Sequence, residues 1–360
     1  MQAQFDLLIH RLEPRRPFRI ARARTTPLEN VLLRLRSDGC TGYGEASPNP
    51  FYGEDPHSVC EKIRAAVPRL QSLAIESPAD IGHAWEALWP LLSPSRAAQC
   101  AIDVALWDWL ARRRNTSLSN LLWNADPRPI PSFCTLGLST PEELPSKLAE
   151  LAGLPQIKVK LDAQTDLALL THIRAQHPQA LIAVDANASW TSQQILAAAP
   201  QLQHLSIAFL EQPLPPGTPL PALASLPQGP MLMADESVVT EEDLPRIAPQ
   251  FGGFNIKLVK CGGITPALRM LAHAKSTGLR TMVGCMLETS LLIAAGAAVA
   301  QGADYADLDG AWLLRNDPFD GWLWKHGFLH PPTAPPPFPT HGTSVAIGTG
   351  AHPNPGIFST

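Results

Sequence analysis

Apolar positions along the chain follow two rhythms. In the first third, Gln4–His10 and Val31–Arg36 alternate as strands, with Val31, Leu33 and Leu35 on one face and Leu32, Arg34 and Arg36 on the other. Arg22–Asn30 reads as polar and irregular, Gly42-Tyr43-Gly44-Glu45 as the end of a further short strand, and Pro48–Asp55 as loop. Helical spacing then dominates from Pro56 to about Arg114. It is clearest beyond Ser95, where Ala97, Ala101, Val104 and Leu110 fall on one side. From residue 131 the rhythm changes to short β-branched runs, each followed by a helix-like stretch. The runs are Ser132–Leu138, Gln156–Leu161, Leu181–Asn187, Leu205–Pro213, Pro230–Ser237, Gly253–Lys260, Arg280–Met286 and Tyr305–Gly310. Eight strand–helix units predict a parallel sheet closed into a (β/α) barrel. Thr140-Pro141-Glu142-Glu143 and Thr191…Gln194 carry the capping-box spacing of helix starts. Little helix is expected after the eighth strand, and the Pro- and Gly-rich end from about Gly321 is expected to fold back on the first domain.

Composition narrows the classes. The 360 residues are 45% hydrophobic and 17% charged, with a net charge of −4, which disfavours a nucleic-acid surface. The longest apolar run, Leu291 to Ala300, is half of a bilayer span. The start has no basic segment leading into an apolar one, so no secretory leader is expected. Cys40, Cys60, Cys100, Cys134, Cys261 and Cys285 form no Cys-x-x-Cys pair. That predicts neither a disulfide framework nor structural zinc, and a cytoplasmic setting.

Ionisable residues gather at the C-terminal ends of the expected barrel strands. Lys160, Asp185, Glu211, Asp235 and Lys257 follow one another at intervals of 22–26 residues, and Asp307 lies 50 beyond Lys257. One such group per unit, always at the same end, converges on the mouth of a barrel, where barrel chemistry takes place. Asp185, Glu211 and Asp235 are hard oxygen donors from adjacent strands, with no His or Cys among them. Such a set suits octahedral Mg²⁺ with open positions for substrate. The competing reading is three strand-end acids paired with lysines. Asn187 and Glu236 stand next in line as supporting groups.

Lys158 and Lys160 point to the same side of their strand, inward by period two. Mutual repulsion and burial are expected to lower a lysine pKa there and make it a usable base. Lys158 could instead be the partner of a buried acid. Lys257 enters from four strands away, so Lys160 and Lys257 flank one bound molecule on opposite faces. This layout suits proton removal from carbon beside a carboxylate, with Mg²⁺ offsetting the charge of the enediolate.

The run Lys158-Val159-Lys160, Asp185-Ala186-Asn187, Glu211-Gln212-Pro213, Asp235-Glu236-Ser237 and Lys257…Lys260-Cys261-Gly262-Gly263 resembles the muconate-lactonizing subgroup of the enolase superfamily. The resemblance extends to Ala101-Ile102-Asp103-Val104-Ala105-Leu106-Trp107-Asp108. It implies an α/β fold, a (β/α)7β modified TIM barrel with an N-terminal α+β capping domain. The expected parts are a cap over 1–125, a barrel over 126–320 and a C-terminal segment over 321–360 that returns to the cap. It also implies Mg²⁺ on Asp185, Glu211 and Asp235, with Lys160 and Lys257 as the two acid/base catalysts and Lys158 assisting the substrate carboxylate.

Asp307-Leu308-Asp309-Gly310, preceded by Gly284-Cys285-Met286-Leu287-Glu288-Thr289-Ser290, resembles the dipeptide epimerases of that subgroup, in which an Asp-x-Asp pair holds the α-ammonium of the substrate. A carboxylate pair facing inward is a natural partner for a cation. One aspartate could instead cap its strand or pair a lysine. The implied reaction inverts the α-carbon of the C-terminal residue of an L,L-dipeptide. Thr135 could touch substrate or be a buried strand Thr. Arg24 and Arg22 bracket the position where relatives acting on Ala-Glu carry an Arg, which leans the reading to an acidic dipeptide. Phe51 and Tyr52 would suit an apolar side chain, and Glu54 and Asp55 a cationic one. Ala311 stands where many relatives have Pro, without touching the catalytic positions. The partner is thus a small-molecule dipeptide, not nucleic acid or membrane, and a homo-oligomer is compatible with it. The rival reactions are N-acylamino acid racemisation, o-succinylbenzoate synthesis and muconate cycloisomerisation, whose substrates lack a free ammonium. A catalytically silent barrel would be expected to have lost one of the opposing lysines.

Overall fold

The computed structural model describes residues 3–15, 28–140, 142–164, 166–220, 229–319, 321–332 and 345–348. The strands β1 (Gln4–Leu12), β2 (Leu28–Ser37) and β3 (Cys40–Ala46) form an antiparallel meander, and Val345–Gly348 pairs antiparallel with β1 on its outer side. β2 begins at Leu28, earlier than its polar lead-in suggests. It is paired along its length with β1, which satisfies the backbone of Leu28–Asn30.

Both faces of β2 are covered. Val31, Leu33 and Leu35 face the cap helices, and Leu32 packs with Leu291 and Phe319 from the other domain. The helices α1 (Pro56–Gln71), α2 (Pro78–Leu92) and α3 (Arg96–Arg113) start at the side-chain caps Asp55, Ser77 and Ser95. α4 (Leu118–Trp123) follows. α3 is buried on nearly every side because it lies between the cap sheet and the barrel. It approaches β3 so closely that a Cβ on Gly44 would stand 1.9 Å from the Ala101 carbonyl oxygen.

After β4 (Ile130–Pro131) come eight parallel strands in unbroken order: β5 (Cys134–Leu136), β6 (Gln156–Lys160), β7 (Leu181–Asp185), β8 (Ile207–Glu211), β9 (Met231–Ala234), β10 (Gly253–Lys257), β11 (Arg280–Gly284) and β12 (Tyr305–Asp307). The first and last approach through the Phe133 N–H, which donates to the Ala306 carbonyl at 2.9 Å, and the Leu308 N–H, which donates to Ser132 Oγ at 2.8 Å. The intervening helices are α5 (Leu144–Glu150), α6 (Ala168–Gln176), α7 (Ser192–His204), α8 (Leu244–Ile247), α9 (Leu258–Cys261), α10 (Ile264–Thr277) and α11 (Ser290–Ala300). The fold is enolase-like, an N-terminal cap beside a nearly closed eight-stranded parallel barrel.

The strands stop sooner than the apolar runs do. Asn187 and Ala188 after β7 and Gln212 after β8 have positive φ, which turns the chain out of the ladder. Lys260 lies not on a strand but in the helical turn α9. Thr191 caps α7 with a capping box, as its spacing predicts. Thr140 and Glu143 make the reciprocal bonds of such a box, but one turn before α5, which begins at Leu144 without a side-chain cap. Among the described residues no helix follows β12; β13 (Leu323–Lys325) and β14 (Phe328–His330) form a hairpin on β4. Among the described residues no helix is long and apolar enough to cross a membrane. All six cysteines are unpaired.

Candidate active site

The period of two places an apolar layer directly beneath a polar one inside the barrel. Phe133, Ala183, Phe209, Met233 and Met282 are fully buried together, with Tyr305 against them. The Phe133 and Phe209 rings meet edge to face at 5.5 Å. Two residues further along the same chain segments stand Thr135, Asp185, Glu211, Asp235, Gly284 and Asp307. Asp185 and Glu211 are direct partners in the β7–β8 register, and Gly284 is paired with Lys257 on one side and Asp307 on the other. A Cβ at Gly284 would lie 2.5 Å from Asn255 Oδ1. The glycine therefore leaves room for the Asn255 amide, which donates to Glu211 Oε1 at 2.7 Å.

The lysines and acids predicted from the sequence meet in this layer. Lys158, buried, donates to Asp307 and to Glu211 Oε2 at 3.3 Å and lies 3.8 Å from Asp185. Lys160 donates to Asp185 Oδ2 at 2.8 Å and to Asn187 Oδ1 at 3.0 Å. Lys257 donates to Asp235 Oδ2 at 2.8 Å from the far side of the barrel. The Thr135 N–H donates to Asp309 Oδ2 at 2.7 Å, and its hydroxyl reaches Asp307 at 3.5 Å. Thr135 thus bridges the two aspartates of strand eight. Asp307 takes a lysine as its partner, the alternative left open in the sequence.

Positive charge falls short at three points, of which Glu288, pushed up by burial to about 8, is one. Six buried acids (Asp185, Glu211, Asp235, Glu288, Asp307, Asp309) share the mouth with four lysines (Lys158, Lys160, Lys257, Lys260). Burial pushes Glu211 up to about 7, although Lys158 pulls the other way. Burial and the charge of Asp307 push Asp309 up to about 6. Asp235 behaves oppositely: burial would raise it, but Lys257 and Lys260 hold it far below the carboxylate range.

The lysine expectation is overturned. Burial does act to lower Lys158 and Lys257, but Asp307, Glu211 and Asp185 around the first, and Asp235 and Glu211 around the second, raise both above the usual lysine value. Repulsion between ammonium groups is the smaller effect because each lysine has a carboxylate in contact.

Among the described residues no acidic, His or Cys side chains are gathered tightly enough to grip an ion in this arrangement. Asp185, Glu211 and Asp235 are each turned onto a lysine instead. The donor set nevertheless fits a hard divalent cation. All three are buried oxygen donors at the ends of adjacent strands, and Glu211 is short of positive charge.

Residues 6–123 match the N-terminal domain of the mandelate racemase / muconate lactonizing enzyme family, and 143–354 match the enolase C-terminal domain-like family. An L-Ala-D/L-amino acid epimerase of Maribacter sp. is 34% identical over 88% of this chain and 93% of its own. The chain belongs to the dipeptide epimerases of the enolase superfamily. An enolase family member from Agrobacterium tumefaciens with bound sodium and L-Ala-L-Glu superposes with a TM-score of 0.83 at 33% identity, over 92% of this chain and 98% of that one. A dipeptide epimerase from Enterococcus faecalis, complexed with Mg and L-Leu-L-Tyr, gives 0.83 at 27% identity, over 93% and 98%.

Within this dipeptide epimerase, two residues expected to face substrate do other work. Glu54 is buried and accepts hydrogen bonds from Ser95 Oγ at 2.8 Å and the Ala97 N–H at 3.0 Å, at the start of α3. Asp55 caps α1 through the His57 and Ser58 N–H groups. Both satisfy free donors at helix starts, and burial closes Glu54 to a cationic side chain. Glu54→Ala is therefore expected to cost roughly 1–3 kcal/mol of stability, read by denaturant unfolding, without changing the preference between cationic and apolar dipeptides. Phe51, on the same loop, is 55% exposed. Arg24 and Arg22 lie outside the described residues.

Several supporting residues carried a weaker signal. Lys260 is fully buried and donates to Asp235 Oδ1 at 2.6 Å and to the carbonyls of Asp235, Val238 and Asn255. It sits in the Lys-Cys-Gly-Gly motif, within an apolar run that gives no sign of the helical turn. Gln212 Oε1 accepts from the N–H groups of Asp235 and Ser237 and so fixes the exit of β9. Asn187, expected as a support, holds Lys160, and Glu236 lies close enough to Lys257 to help raise its pKa. Asn255 stands two residues before Lys257, so period two alone could have put it inward.

Proposed function

We propose that this chain is a Mg²⁺-dependent dipeptide epimerase that inverts the α-carbon of the C-terminal residue of its substrate by a two-base proton transfer. The observation that carries the reading is the placement of two groups of buried acids at one end of the barrel, Asp185, Glu211 and Asp235 in one and Asp307 with Asp309 in the other. A dipeptide zwitterion bound with a divalent cation supplies a charge to each.

Asp185, Glu211 and Asp235 would hold Mg²⁺, which would offset charge growing on the substrate carboxylate and draw these acids off the lysines they now contact. Lys158 stands beside the same acids and assists in orienting that carboxylate. Asp307 and Asp309, braced by Thr135, receive the α-ammonium, which leaves the α-carbon between β6 and β10. Neutral Lys160 or Lys257 then accepts the α-proton on one face: the C–H bond breaks and an N–H bond forms. The ammonium of the other lysine delivers a proton to the opposite face.

Purified protein incubated with Mg²⁺ and pooled L,L-dipeptides in D₂O is expected to yield dipeptides carrying one deuterium, with matching L,D products. Chelation of the metal should stop the labelling, and added Mg²⁺ should restore it. Absence of label from every dipeptide with metal demonstrably bound would overturn the assignment. Label in N-acylamino acids alone would favour the rival racemase, on whose side the Lys158–Asp307 ion pair stands.

A further inference from the structure

The segment that follows β11 is held by the cap as well as by the barrel that carries it. Glu45, at the end of β3, is fully buried and accepts the Thr289 N–H at 3.0 Å, the Thr289 hydroxyl, and Asn30 Nδ2 at 2.6 Å. Asn30 also donates to the Leu287 carbonyl at 3.1 Å, and Ser47 Oγ reaches the same oxygen at 3.4 Å. Cap side chains therefore grip Leu287 and Thr289, one on each side of the buried Glu288. Glu288 in turn folds back to accept the Met286 N–H at 2.9 Å. Ser290, the next residue, is fixed by Asp317 at the start of α11. The segment 285–289 leaves β11 at Gly284, the residue paired with Lys257 on one side and with Asp307 on the other.

We infer that Glu45, with Asn30, is a positioning residue: it reaches the reaction from the cap by fixing segment 285–289, and through it the placement of Lys257 relative to Asp307 and Asp309. This rests on the epimerase reading. Lys160, on β6, borders no part of the clamp. Loosening the clamp should therefore disturb delivery of the proton by one lysine and not by the other. Glu45→Gln keeps the shape of the side chain but turns an amide against the Thr289 donors, which leaves one of them unpaired.

The test follows the fate of the α-carbon in D₂O, with the Mg²⁺-loaded full chain. Lys160→Ala and Lys257→Ala, by the diastereomer whose exchange each abolishes, identify the dipeptide whose proton Lys160 removes. From that dipeptide, each turnover ends either in deuterium with retained configuration, when Lys160 returns a solvent-derived proton, or in inversion, when Lys257 delivers one. The ratio of these outcomes does not depend on how much of the protein is folded. In Glu45→Gln it should shift toward retention on the order of tenfold, short of the roughly 100-fold that a full 1 Å misplacement can cost. Thr289→Val, which removes the hydroxyl donor to Glu45 together with the oxygen that caps α11 at the Leu291 N–H, should shift it the same way by less, and Thr289→Ser, which keeps both, should restore the parental ratio. An unchanged ratio in Glu45→Gln overturns the inference; if that variant does not fold, an unchanged ratio in Thr289→Val does so. Absence of exchange in the unmodified protein would instead overturn the epimerase reading beneath it.

Discussion

Lys257→Ala is expected to lose net epimerisation by at least about 10³-fold, within the roughly 10²–10⁴-fold reach of a positioned acid/base group, and Lys160→Ala to match it. Inversion needs a proton removed on one face and another supplied on the opposite face. The two lysines sit four strands apart, one against Asp185 and the other against Asp235. Removing either leaves a single-faced site. The surviving lysine can still take a proton and return one to the same face, so each variant should keep deuterium exchange in one diastereomer and lose it in the other. Chiral chromatography with mass spectrometry reads both outcomes. Full activity in either variant would dispose of the two-base scheme, and exchange of both diastereomers in both variants would move the base elsewhere.

Asp309→Asn should cost roughly 10- to 150-fold in kcat/KM for free-amino dipeptides, the worth of a charge-assisted hydrogen bond of about 1.5–3 kcal/mol. Asp309 is the sharper target of the pair because Asp307 already has the Lys158 ammonium beside it. Asp309 accepts hydrogen bonds from Thr135, its N–H at 2.7 Å, and its acidity is weakened by burial and by its neighbour. Asn preserves the shape and can still accept from Thr135, so the loss should fall on substrate and not on folding. Steady-state kinetics on a dipeptide and on its N-acetyl form separate the readings. A loss confined to the free amine supports an ammonium site, and equal rates for parent and variant would support the N-acylamino acid rival.

The barrel and its mouth were legible because two regularities reinforce each other. Strand–helix units recur at a near-constant interval, and period two carries Phe209 to Glu211, Met233 to Asp235 and Tyr305 to Asp307, from apolar floor to polar mouth. What escaped depends on chain reversals and on contacts between distant segments. Lys260 reaches Asp235 only because β10 gives way to a helical turn. Glu54 and Asp55 look like solvated loop acids until the helices they cap are in place. Leu32 looks like part of an open face until α11 covers it. The lysine pKa expectation failed for a related reason: the sequence shows which charges are present at the mouth, but not that each ammonium has a carboxylate in contact.

The aromatic floor formed by Phe133, Phe209 and Tyr305 has a consequence for traffic. A barrel stoppered from below has one doorway. Both diastereomers must come and go through it, past the cap, and neither can leave behind while the other enters in front. Departure of one is thus a precondition for arrival of the next, and a mixture of the two forms queues at a single entrance for one seat.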